Sequence, residues 1–154
     1  MDLHASATMF EASSWLQSAS TALLELVRGN RPDSSAQSAM QWAGSFLLTM
    51  DWEHGRHAAT ASDSLAMQAT AARPTFYATL MKIGPLFKDL GFGSRNELMQ
   101  FYRSLYEVLS EGGESAEDLD ARQLRAGAVL LHELSAGLLL LISQDHSSAS
   151  STRL

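Results

Sequence analysis

Residues 51–57 read DWEHGRH, so two carboxylates and two imidazoles fall within seven residues, directly after the apolar run FLLTM. Such side chains are zinc ligands, and carboxylate and imidazole groups also perform general acid–base chemistry. The segment becomes a site only if the helix carrying FLLTM continues through Gly55. The stripe Ala43, Leu47, Met50 then extends to His54 and His57, which face inward one turn apart, as a metal site inside a helical bundle requires.

A metal needs at least three protein ligands, usually with a further group orienting each histidine. The pattern supplies no third ligand. On a helical wheel His132 sits about 160° from Leu134, facing away from the apolar seam, with Glu133 on the flank. Glu25, Glu107 and Glu111 lie off the apolar sides of their own helices. Nor is there a Glu-x-x-His pair here, since Glu53 is followed three residues later by Arg56. The segment therefore reads as a helix C-terminus: Gly55 stops the helix, and His54, Arg56 and His57 favour the negative end of its dipole. No metal or other cofactor is expected. A metal or small-ligand pocket centred on His54 and His57 is the second reading.

Other chemistries have less support. The chain has no cysteine, which excludes disulfides, thiolate catalysis and Cys-ligated zinc. There is no Gly-x-Ser-x-Gly nucleophile motif. GFGSRN at 91–96 places two glycines before a helix start, a geometry able to receive an anion, but it lacks a following lysine and a preceding strand. It reads as a tight turn with a helix cap. A net charge of −6, with eleven basic residues scattered singly, argues against nucleic acid.

The elements that would position any site are helices. A chain of 154 residues is one domain by length, and its Ala, Leu, Met, Gln and Ser content favours helix. Met9, Ala12, Leu16, Ala19, Leu23 and Leu26 form the stripe of a first helix over roughly 6–28, stopped by Gly29-Asn30. A second starts near Asp33–Ser35, with Ala36, Met40, Ala43, Phe46, Leu47 and Met50 inside. Residues 56–72 form a weak helix or a mobile connector, with helix favoured. Pro74 suits the first turn of a helix over 74–83 bearing Phe76, Tyr77, Leu80 and Ile83, and Gly84-Pro85 is expected to end or kink it.

Ser94 with Glu97 makes a capping box for a helix running to about 111, with Leu98, Phe101, Leu105 and Val108 inside. Ser115 is expected to cap the last helix, which runs to about 144. Leu124, Gly127, Leu131, Leu134, Leu138 and Leu141 form its heptad seam. Leu130 and Ile142 widen that seam, and Leu139 and Leu140 extend past its two sides. Near 138–142 this helix is apolar almost all round, so it is either the centre of the bundle or meets another chain. The apolar run AVLLHELSAGLLLLIS at 128–143 is shorter than the ~20 residues of a span and contains His132 and Glu133, so no membrane span is expected.

These patterns predict an all-α, single-domain helical bundle of five to six helices over 1–144, with a disordered, serine-rich C-terminal tail over 145–154. The function they favour is a non-enzymatic protein-interaction module: a small acidic adaptor, chaperone-like or inhibitor-like protein of the cytoplasm. Its contact residues are Trp15, Trp42, Leu138, Leu139, Leu140 and Ile142, tryptophan because it is enriched in binding hot spots. The expected partner is another protein, a second copy of the chain, or both.

Overall fold

The computed structural model describes residues 3–50 and 63–152, with side chains placed over 9–50 and 68–143. Among the described residues there are five α-helices, one 3-10 turn and no strand. The helices are α1 (Leu3–Val27), α2 (Ser34–Met50), α3 (Asp63–Asp89), α4 (Arg95–Ser110) and α5 (Ala121–Thr152), with the turn at Ala116–Asp118. This is the all-α bundle that the helical periodicity predicts. The expected tail at 145–154 falls where side chains are not placed; the backbone there is helical to Thr152.

Local chemistry sets the helix boundaries. At the end of α1 the Gly29 amide donates to the Leu26 carbonyl at 3.0 Å and the Asn30 amide to the Glu25 carbonyl at 2.9 Å. This closure needs a left-handed residue, and Gly29 supplies it with φ 85°. The Asn30 side chain also donates to the Glu25 carboxylate, which together with Arg28 holds that carboxyl below its ordinary pKa. Gly91 and Gly112 close α3 and α4 in the same way, and Phe92 packs on Phe87 beyond the first of these.

Helix starts are capped by side chains. Asp33 accepts from the Ala36 amide at 2.8 Å and Ser94 from the Glu97 amide at 3.1 Å. For α5 the cap is Asp120, not the expected Ser115. Asp120 accepts from the Gln123 amide at 2.8 Å, and its own amide donates to the Gln123 side chain at 3.0 Å. That reciprocal pair is a capping box. Ser115 precedes only the 3-10 turn and makes no side-chain cap bond.

Helix α3 departs most from expectation. It begins at Asp63, well before Pro74, and runs through both Pro74 and Pro85 to Asp89. The helical reading of 56–72 therefore holds from Asp63 onward, while 51–62 lie outside the described residues. A proline inside a helix costs about 3 kcal/mol. Against this, Ile83 and Phe87 are buried on either side of Pro85, and each such side chain contributes roughly 1.5–3 kcal/mol. Gly84 also has no Cβ to meet the ring of the following proline. Tertiary burial outweighs the local penalty.

The core runs along α5. Its seam residues Leu124, Leu131, Leu134 and Leu138, with Leu130, are buried against α1 on one side and α3 on another. Helix α1 lies antiparallel to α5, as the pairs Ser13–Ser135, Gln17–His132 and Ser20–Ala128 show. Helix α2 packs on α1, α4 and α3. A Cβ at Gly44 would lie 2.9 Å from the Ser110 backbone nitrogen, so the α2–α4 approach depends on glycine.

Two arginines donate to backbone carbonyls in other parts of the chain. Arg73 of α3 donates to the Met50 carbonyl of α2 at 3.1 Å, with the Thr49 carbonyl at 3.5 Å. Arg122 donates to the Leu90 carbonyl at 2.8 Å, and its guanidinium stands 4.7 Å over the Phe92 ring. Beneath it Phe87, Phe92, Phe101 and Tyr102 form an aromatic cluster, where burial raises the Tyr102 phenol pKa well above its ordinary value.

Candidate interaction surface

Successive residues of a helix step by about 100°, so four consecutive apolar residues cannot all face one core. Leu138 is 0% exposed and belongs to the seam between α5 and its neighbours. It is a core residue, not the contact residue expected from the sequence. Leu139 and Leu140, the next two residues round the helix, are 42% and 58% exposed, and Ile142 is half-buried against the core. The bundle therefore encloses one side of α5 near its C-terminal end and leaves two large side chains on the other.

Each exposed leucine borders a groove. Leu139 lines an open trough of about 740 Å³ whose floor is the outer face of α1 from Phe10 to Thr21 and whose far wall is the start of α2. Phe10, 62% exposed, stands in the same trough. Leu140 lines a second groove of about 420 Å³ between α3 and α5, over Pro74, Thr75 and Ala78. The Lys82–Glu133 ion pair, 2.7 Å between Nζ and Oε2, lies in that groove. A Cβ at Gly137 would come within 2.8 Å of Thr75, so the α3–α5 approach depends on its absence.

The tryptophans take a different part. Trp15 and Trp42 stack across α1 and α2 with centroids 6.2 Å apart, and Trp42 stacks on Phe46 at 4.6 Å. Both are half-buried. Most of their surface thus ties α2 to α1, and Trp15 also contributes to the trough. Phe10 was not singled out from the sequence. Its signal is its place between the stripe residues Met9 and Ala12, off the buried line, where a large aromatic stays exposed.

His54 and His57 lie outside the described residues, as do Trp52 and Gly55. Among the described residues no three His, Asp or Glu side chains gather as a metal site would require. His132 is placed: its Nδ1 lies 2.9 Å from the Gln17 amide oxygen, and both residues are exposed. In the 91–96 segment, Gly91 ends α3 beneath the Arg122 guanidinium and Ser94 caps α4, which accounts for Gly91 and the serine by helix termination alone.

Helix α5 is longer than the apolar run read from the sequence. Ala121–Ser143 spans 23 residues and contains an 18-residue window of mean hydropathy 1.8, long and apolar enough to cross a membrane by length and composition. In this fold 44% of that window is buried among the other helices. A core helix of a small bundle meets the same length and composition test.

The chain matches no family model, no curated protein and no solved structure.

Proposed function

We propose that this protein is a non-enzymatic protein-interaction module that binds through the outer side of α5. One observation carries the reading: Leu139 and Leu140 are exposed side by side on a helix whose other side is the core, with Phe10 projecting into the groove beside Leu139. Large apolar side chains grouped on a soluble surface mark interaction sites more often than isolated ones do. The partner is another protein or a second copy of the chain, and the acidic charge of −6 steers approach. An acidic adaptor, chaperone-like or inhibitor-like role in the cytoplasm fits this chemistry.

The test is the double substitution Leu139→Glu with Leu140→Glu. Both side chains are already in contact with solvent, so the variant is expected to keep the helical circular dichroism and cooperative unfolding of the parent. Sedimentation across a wide concentration range reads self-association, and affinity capture from native lysate reads a second protein. The proposal expects one of these associations in the parent and its loss in the variant. A monomeric parent that captures nothing, or an association indifferent to both charges, would overturn it.

A further inference from the structure

We infer that the trough over α1 is a docking groove for a basic amphipathic helix of a partner protein. The inference rests on the interaction-module reading and specifies the chemistry of its partner. The floor from Phe10 to Thr21 is about three helical turns, or ~16 Å at 1.5 Å per residue. Ser14 and Ser18 keep that floor low between α2 and α5. Short side chains there allow another helix to lie at the ordinary interaxial distance of about 8–10 Å. Helix-in-groove recognition combines such a channel with a few apolar anchors. Phe10 and Leu139 form the apolar end that receives them.

Charge selects the sign of the ligand. Glu11 and Asp33 line the trough, and among the described residues no Lys, Arg or His does. Asp33 uses one carboxylate oxygen to cap α2, and its charge remains at the rim. A helix bringing lysine or arginine to these carboxylates gains attraction along the whole channel, whereas an acidic helix meets repulsion. A second copy of this chain would bring a further net charge of −6, which favours a basic partner over self-pairing at this trough.

The test uses two fluorescein-labelled model helices of roughly fifteen residues, with the same apolar face of leucine and a polar face of either lysine or glutamate. Anisotropy titrations on the full chain should show the lysine peptide binding at least ~10-fold more tightly than the glutamate peptide, with the difference shrinking as salt rises. The pair Glu11→Gln and Asp33→Asn removes the trough charges while Asn preserves the α2 cap. It should weaken the lysine peptide by about 10-fold, as a modest electrostatic contribution to binding would. Glu107→Gln with Glu114→Gln makes the same charge change outside the trough and should have little effect. Phe10→Ser should weaken binding without altering the charge.

No binding of the lysine peptide, equal binding of both peptides, or equal loss in the two charge-neutralised pairs would overturn the groove. If association with a natural partner or second copy still depends on Leu139 and Leu140, the groove alone falls and the interaction-module reading stands. If the groove binds as expected and no such association exists, the proposed use of the α5 surface falls instead.

Discussion

The hydroxyls of Ser13 and Ser135 lie 2.7 Å apart between α1 and α5, and each is also placed to donate to the other residue's backbone carbonyl, at 3.1 and 2.8 Å. Both residues are buried. Ser20 repeats the arrangement two turns along, donating to the Ala128 carbonyl at 2.7 Å. Helices joined this way approach closely because the residues between them are small, and each buried hydroxyl finds its partner in the opposite backbone.

Ser13→Ala and Ser135→Ala should therefore each cost only about 0.5–1.5 kcal/mol, the net value of one buried hydrogen bond. Ser135→Leu should cost more, about 1–3 kcal/mol, because it forces α1 and α5 apart. Urea unfolding monitored by circular dichroism ranks the three. An equal cost for alanine and leucine would show that the helices are not closely packed at this point.

Gly44→Ala should destabilise the protein despite the better helix propensity of alanine. The new methyl would lie 2.8 Å from Ser110 Oγ and 2.9 Å from the Ser110 amide nitrogen, with Leu109 Cβ at 3.2 Å. Propensity returns about 1 kcal/mol, and overpacking against a backbone atom costs about 1–3 kcal/mol or more. A net loss of about 1–2 kcal/mol in the unfolding free energy is expected; a gain would mean that α2 and α4 are not in contact there.

Pro85→Ala should stabilise the chain. Pro85 lies inside α3, where it removes a backbone donor and crowds the preceding turn. Alanine restores the donor and leaves the exposed position free of any lost core contact. The expected gain is about 1–3 kcal/mol, read as a rise in the urea midpoint at constant slope. A loss instead would indicate that the helix does not continue through this residue.

Arg73→Ala should loosen the end of α2. The guanidinium supplies donors to the Met50 and Thr49 carbonyls in the last described turn of α2, tying that turn to α3. Loss of about 1–2 kcal/mol is expected from a partly buried, charge-assisted contact. Hydrogen exchange should accelerate in the last turn of α2 more than in α1. Exchange unchanged in that turn would count against this tie between α2 and α3.

How much of the bundle is legible without coordinates depends on the range of the forces involved. Four of the five helices can be read from periodicity, and the stops at Gly29, Gly91 and Gly112–Gly113 from glycine, because these depend on neighbours a few residues away. The capping box Asp120–Gln123 is equally local, and a cap at Ser115 instead displaces the start of α5 by five residues. The stripes of α1, α2, α4 and α5 are buried as their spacing predicts except at Leu26, Ala36, Leu98 and Leu141, which are half-buried, since one side of each helix must leave water.

The sequence by itself determined the helical class, the apolar stripes and the surplus of leucine at 138–141, because side-chain type and a period of 3.6 residues suffice for these. Tertiary structure alone decided which leucine goes where. Leu138 is buried while Leu139 and Leu140 are exposed, because α1 and α3 reach only the two flanks of α5. It also decided that α3 continues through two prolines, because Ile83 and Phe87 gain a core that no local rule includes. The trough over α1 depends on the same placement: Phe10, Glu11 and Asp33 acquire a common surface only when α2 and α5 pack on either side of α1, and burial of the opposite stripe fixes that arrangement.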